Sequence, residues 1–315
     1  MRSPRFSVVL PVYNGAHYLR GCLDSILAQT FDDYELVVVD DASTDDSTDI
    51  LATYRGHKQT RIFRHEKNEG LFPTLNDALR KSRAPLIHLL GQDDQMKRRC
   101  LERWDAFWRE HPTLGIAYCQ RDTIDESGAI IESAPDDQTP TILSTRQVAQ
   151  ISFYHGSMPG NIASVVLRRE ALDEVGLFRE DMEVSGDFEM WVRIAESFKT
   201  GFLEESLIRL RSHEDQFSRR PGIAAQFMEE DREIYERLFE HLPSEQEAHA
   251  RRYHRWFRHV QYAHFMMCAL WNGDLETASR VFTKLREWDS VPRAIGRWLI
   301  TGNGRWLMKK SKVDL

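Results

Sequence analysis

From Phe6 to about Leu90, short apolar runs rich in β-branched residues alternate with longer stretches of helical periodicity, the pattern of successive βαβ units. It predicts strands over Phe6 to Val12, Glu35 to Asp40, Arg61 to His65 and Leu86 to Leu90. Between the first two, Leu19, Cys22, Leu23, Ile26 and Leu27 recur at helical spacing and form one apolar face able to cover a parallel sheet. A second helix is expected to start near Asp45 or Asp46, because Asp41-Ala42-Ser43-Thr44-Asp45 supplies turn and N-cap residues. From Gln92 to Pro221 the pattern is less regular, with a loop-like stretch from Ser133 to Pro140, a strand over Ser164 to Leu167 and a helix over Asp187 to Ser197.

After Pro221-Gly222 amphipathic helices take over. Phe227, Ile234, Tyr235, Leu238 and Leu242 mark one, and Phe257, Val260, His264, Met267 and Trp271 mark another. Asn272-Gly273-Asp274 then reads as C-cap, turn and N-cap before a helix carrying Leu275, Ala278, Phe282 and Leu285. The expected organisation is an α/β domain over residues 1–220, its two halves meeting near residue 95, and a helical C-terminal region over 221–315.

Composition narrows the classes of function. Hydrophobic residues are 41% of the 315 and charged residues 29%, which fits an ordinary globular chain and excludes a disordered or fibrous one. A net charge of -7 leaves no basic footprint for nucleic acid. Cys22, Cys100, Cys119 and Cys268 contain no CxxC pair and suit reduced thiols in the cytoplasm. No segment reaches the ~18 uninterrupted apolar residues of a membrane span, so any membrane contact is expected to be peripheral. The place for one is Pro292 to Leu315, where Arg293, Arg297, Arg305, Lys309, Lys310 and Lys312 face Asp314 alone and alternate with Trp298 and Trp306.

Four polar clusters carry candidate chemistry. Pro11-Val12-Tyr13-Asn14 and Asp40-Asp41-Ala42-Ser43 end adjacent strands. A tyrosine face beside a carboxylate can stack on a base and accept its imide N–H, which favours uracil; the same residues also suit a turn with helix caps. Gly91-Gln92-Asp93-Asp94 follows a buried strand, where paired carboxylates call for solvent, hydrogen bonds or a divalent cation such as Mg²⁺ or Mn²⁺. Asp187 opens a helix after Gly186, a position that keeps a carboxylate ionised for general-base work or simply caps the helix. Arg209, Arg211 and His213 form a basic stretch that can meet phosphate and ligate a metal, or stand solvated in a loop.

Together these motifs resemble the inverting family 2 glycosyltransferases. The match runs from the PVYN of the first strand through Ser25 to Phe31, Glu35 to Asp45, Asn68-Glu69-Gly70-Leu71, Leu75-Asn76, Gln92-Asp93-Asp94, Gly176-Leu177-Phe178, and Gly186-Asp187 with Trp191, covering roughly residues 6 to 218. The resemblance implies the GT-A nucleotide-sugar fold, a mostly parallel sheet flanked by helices, with residues 1–95 as the nucleotide-binding half and 96–220 as the acceptor half. It implies that Pro11, Tyr13 and Asp41 hold the base, with Asn76 also on the nucleotide side. Asp93 would serve the ribose or the water shell near the phosphates, and Asp94 the cation with His213; Asp93 stays open as the ligand, since Gln92 stands where the family's first aspartate often appears. Asp187 falls on the catalytic base, and Arg209, Arg211, Asn161 and Trp191 on phosphate or acceptor contacts. The donor implied is a nucleotide-diphospho-sugar, a UDP-sugar by preference, and the acceptor a saccharide or lipid-linked saccharide of surface glycoconjugate synthesis. Rival readings are a non-catalytic nucleotide-sugar-binding module, which needs no base at Asp187, and a nucleotidyltransferase, which would call for a glycine-rich, lysine-bearing phosphate loop absent near the N-terminus.

Overall fold

Every residue from Phe6 to Val12 is buried, as expected of a strand covered on both faces, and this strand, β1, sits inside the sheet. In the computed structural model, which describes residues 3–135, 137, 139–214, 216 and 223–300, the chain continues through α1 (Ala16–Leu27), β2 (Tyr34–Asp40), α2 (Ser47–Tyr54), β3 (Thr60–Arg64), α3 (Leu71–Lys81) and β4 (Leu86–Leu89). Next come β5 (Gln95–Met96), α4 (Cys100–Glu110), β6 (Ile116–Ile124), β7 (Ile130–Glu132), β8 (Ile142–Leu143) and α5 (Thr145–His155). The last strands are β9 (Val165–Arg168) and β10 (Thr200–Arg211), with α6 (Arg169–Val175) and α7 (Gly186–Ser197) between them. Four helices close the described chain: α8 (Ile223–Glu240), α9 (Ser244–Trp271), α10 (Leu275–Trp288) and α11 (Val291–Ile300).

One ten-stranded sheet runs in the order β3-β2-β1-β4-β9-β6-β10-β5, with β7 beside β6 and β8 beside β10. Strands β1 to β4 are mutually parallel, β6 and β10 are parallel to each other, and β9 is antiparallel to both β4 and β6. Because β9 reverses direction between them, β6 points the same way as β4, and the carboxyl ends of β1, β2, β4 and β6 share one edge. Leu19, Cys22, Leu23 and Ile26 of α1 pack onto the sheet in the main core with Trp104, Phe107 and Trp108 of α4.

The chain divides into two compact units, residues 1–148 with 157–214, and residues 149–156 with the chain from 215 onward. The second has its own core, in which Met228, Tyr262, Met266, Val281 and Leu285 are buried. At its turn Gly273 takes φ +76, and Asp274 caps α10 by accepting the Thr277 N–H at 3.0 Å. All four cysteines are free thiols. Among the described residues no helix is long and apolar enough to cross a membrane. Of the basic C-terminal segment, residues 301–315, with Arg305, Trp306, Lys309, Lys310 and Lys312, lie outside the described residues.

Candidate functional site

Register places Val12 beside Asp40 and Val9 beside Leu89, so the loops leaving β1, β2 and β4 meet at the carboxyl edge, where open α/β sheets place ligands. Short polar side chains tie these loops together. The Asn14 N–H donates to Ser43 Oγ at 3.0 Å, the Thr44 N–H to Asn14 Oδ1 at 2.8 Å, and the Gly15 N–H to Ser47 Oγ at 3.0 Å. Asn14 and Ala42 adopt φ of 48° and 58°, a left-handed conformation that costs an alanine about 1–2 kcal/mol. The loop ties hold both residues there.

Gln92 joins the β4 loop to the same edge: its Nε2 donates to the Tyr13 carbonyl and its Oε1 accepts the Tyr13 N–H, both at 2.9 Å. A Cβ on Gly15 would fall 2.3 Å from Gln92 Oε1, so only glycine leaves room for this amide. Tyr13 itself is 38% exposed and presents a ring at the rim. Pro11 is buried within β1 opposite Val39. The buried Asp41 carboxylate accepts the N–H groups of Glu69 and Gly70 at 2.8 and 2.9 Å and lies 2.8 Å from His65 Nδ1. Asn76 is buried and faces another direction: its Nδ2 donates to the Phe178 carbonyl and to Glu180, and its Oδ1 accepts the Phe178 N–H. That amide pins the 178–180 loop instead of lying with Tyr13.

Asp93 and Asp94 converge on Gly91. A Cβ there would stand 2.6 Å from Asp94 Oδ2 and 2.9 Å from Asp93 Oδ1, so glycine keeps open a cradle that both carboxylates face. Asp94 is almost fully buried, and its Oδ1 accepts the Arg211 N–H at 2.9 Å. Burial first, and the Asp93 charge second, push its pKa well above the carboxylate range, against the opposing Arg211 and Arg121. His213 Nε2 lies 3.0 Å from Asp93 Oδ2, while its buried Nδ1 has no hydrogen-bond partner. Two crowded carboxylates with an imidazole beside one of them fit a hard divalent cation that completes its shell with phosphate and water. Among the described residues, no three His, Cys, Asp or Glu side chains form a ligand group by themselves.

Arg209 and Arg211 end a twelve-residue strand, β10, rather than standing in a loop. Arg209 is exposed. Arg211 is buried: its Nε donates to the Asp93 carbonyl at 3.0 Å, its Nη1 to the carbonyls of Asp125 and Glu126 at 2.6 and 2.9 Å, and its guanidinium lies 4.6 Å from the Tyr18 ring centre. Arg211 therefore braces the Asp93 loop from behind.

Asp187 lies in the first turn of α7, partly exposed, with its Oδ1 2.7 Å from the Phe188 N–H. A Cβ on Gly186 would meet the Phe72 ring at 2.7 Å, so this helix start sits directly on Phe72, which stacks on Phe178 at 5.5 Å. Trp191 is core, its Nε1 donating to the Gly160 carbonyl at 3.3 Å. Asn161 caps a 3₁₀ turn over Ile162–Ser164 by accepting the Ala163 N–H at 2.8 Å. Two side chains at this edge escaped the sequence reading. Gln92 looked like a substituted aspartate, and Arg121 is a lone cation within the strand Ile116–Ile124, where only its interruption of Tyr118-Cys119-Gln120 marks it.

Residues 7–176 match the family described as "Glycosyl transferase family 2". An uncharacterized glycosyltransferase of Rickettsia felis is 30% identical over 220 residues, which are 69% of this chain and 36% of that protein. The chain thus spans about a third of that relative's length. A PGL/p-HBAD biosynthesis glycosyltransferase of Mycobacterium bovis is 30% identical over 174 residues, 55% of this chain and 67% of the relative. Among solved structures, S. aureus TarS 1-349 in complex with UDP-GlcNAc aligns with a TM-score of 0.63 at 21% identity, over 78% of this chain and 69% of that one. The mannosyltransferase PcManGT from Pyrobaculum calidifontis, in complex with GDP-Man and Mn2+, aligns with a TM-score of 0.55 at 19% identity, over 99% and 83%. At such identities the likeness establishes the fold.

Proposed function

The chain belongs to glycosyl transferase family 2, and from that premise we propose that it is an inverting glycosyltransferase that moves a sugar from a nucleotide-diphospho-sugar to an acceptor hydroxyl. A UDP-sugar is the donor favoured by the exposed Tyr13 ring beside Asp41 at adjoining strand ends, and it is consistent with the UDP-GlcNAc bound by the TarS neighbour. The observation that carries the reading is the Gly91 cradle, where Asp93 and Asp94 crowd one point at the carboxyl edge. Asp94, with Asp93 and His213 beside it, would hold the divalent cation. When bound, Mn²⁺ or Mg²⁺ supplies positive charge that offsets the charge of the departing diphosphate.

The remaining chemistry falls to the chain's own residues. Asp187 accepts the proton of the acceptor hydroxyl while that oxygen forms a bond to the anomeric carbon. The bond from that carbon to the diphosphate oxygen breaks on the opposite face, so configuration inverts. Asp187 stands in the first turn of α7, where a helix N-terminal field favours a carboxylate and at the same time weakens it as a base. Residues 1–220 form the catalytic region in this reading, with the acceptor, a saccharide or lipid-linked saccharide, on the 96–220 side. A peripheral contact of 292–315 with anionic membrane belongs to it; flotation with anionic vesicles would recover the full chain, and a chain left in solution at low salt would remove that contact.

Replacing Asp187 by Ala is expected to lower kcat about 10²- to 10⁴-fold while leaving UDP binding unchanged. Turnover equal to wild type would take the base role from Asp187. A wild-type chain that bound UDP-sugar yet transferred nothing to any acceptor would favour the binding-module alternative.

A further inference from the structure

Arg121 lies on β6, partly buried, in register with Ile208 of β10. Val166 of β9 joins His88 to Ala117 across the sheet. Arg121, four residues past Ala117, therefore lies toward the carboxyl edge from which the loop after β4 also leaves. The guanidinium carries five donors and no acceptor, yet among the described residues it makes no hydrogen bond and no ion pair. Several nearby arginines, by contrast, are engaged: Arg211 holds the carbonyls of Asp93, Asp125 and Glu126, Arg193 pairs with Glu189, and Arg169 donates to Ala84 and Ser82.

The Arg121 guanidinium lies beside Gly160. Its Nη1 and Nη2 lie 3.7 and 3.9 Å from where a Cβ on Gly160 would be, at a backbone position of φ +87 whose carbonyl is held by Trp191. A guanidinium partly withdrawn from water without an internal acceptor is costly, and a ligand that brings acceptors removes the cost. The ligand's geometry follows from strand order. Tyr13 and Asp41 follow β1 and β2, the carboxylate pair follows β4, and Arg121 lies two strands further on the same side. A nucleotide whose base sits at the first loops and whose phosphates pass Asp94 is carried toward Arg121 at its far end.

We propose that Arg121 binds the distal, sugar-bearing phosphate of the nucleoside diphosphate through its guanidinium fork, an inference that rests on the donor reading above. Such a contact is planar, charge-assisted and bidentate, which suits arginine better than lysine. It gives the leaving phosphate a contact supplied by the protein, separate from the carboxylate cradle.

The test is calorimetry of UDP and UMP, which differ by that phosphate, at fixed Mn²⁺ on the wild type, Arg121→Ala, Arg121→Gln and Arg121→Lys, with GDP and GMP run alongside. UDP affinity is expected to fall about tenfold or more in the Ala and Gln variants, UMP affinity to stay unchanged, and Lys to recover part of the loss. Because no internal partner is lost, the thermal midpoints of the Ala and Gln variants are expected to match or exceed wild type, which a structural role would not allow. Equal weakening of UDP and UMP, unchanged UDP affinity in Ala and Gln, or a lowered midpoint in every variant would overturn the proposal. If the wild type binds the nucleotides normally, only the Arg121 contact falls. If the wild type binds no nucleotide at all, the donor reading falls and this contact with it.

Discussion

At the residue scale, the Asp41 carboxylate is bound on one side by the Glu69 and Gly70 N–H groups and on the other by His65, whose Nε2 lies 3.3 Å from Asp77. Burial draws the His65 pKa down, but hydrogen bonds to Asp41 and Asp77 and the nearby charge of Glu69 more than offset it, so the net shift is upward from 6.5. A group with a raised folded pKa contributes stability that is complete below its unfolded value and is lost as pH rises through the folded one. Urea denaturation of the wild type is therefore expected to show a loss of stability as pH climbs above about 6.5, the unfolded histidine value. His65→Gln is expected to flatten that part of the profile. An unchanged pH dependence in the variant would mean that the contacts of Asp41 do not depend on the imidazolium. The candidate residues themselves, Tyr13, Asp41, Asp93, Asp94 and Asp187, were legible as types in the right order. What each side chain touches was not. Asn76 and Arg211 look like ligand contacts in one dimension, and only the fold shows them bound to the carbonyls of residues 178, 93, 125 and 126.

Elements were legible where burial is uniform or strictly periodic. Strands β1, β2 and β4 are buried along their whole length, and the structure ends each within a residue or so of its predicted limits. The start of α2 and the run of α7 also follow their turn and cap residues, as do α8 and the turn before α10. Strand β10 failed for a physical reason. Register shifts between Leu203 and Ser206 and between Ser206 and Ile208 break its alternation, and a strand with an irregular inward pattern shows no period of two. The segment Arg209 to His213 consequently read as a basic loop, although Arg209 and Arg211 lie on the strand. In α3, Phe72-Pro73-Thr74 follows the opening residue Leu71. Pro73 is accommodated in the first turn, and Phe72 is the surface on which Gly186 and the start of α7 rest.

At the scale of the whole molecule, the βαβ pattern predicted the parallel half of the sheet, and the helical periodicity predicted the C-terminal helices. The segment 149–156 of α5 joins that second unit from within the first stretch of chain, a long-range pairing that local periodicity does not encode. The identity of the sugar is likewise written in loop geometry rather than in pattern. The account as a whole rests on a nucleotide-diphospho-sugar held with a divalent cation at the carboxyl edge, and such a ligand raises the unfolding midpoint of the state that binds it. At a concentration 100 times its Kd the gain is about 2.7 kcal/mol, a shift of a few degrees for a chain of this size. The most direct measurement is thermal unfolding with a panel of UDP- and GDP-sugars in Mn²⁺ and again in EDTA. The account predicts that a UDP-sugar with Mn²⁺ raises the midpoint most and that EDTA removes most of the rise. A panel with no effect, a larger rise with GDP-sugars, or the same rise in EDTA would contradict it.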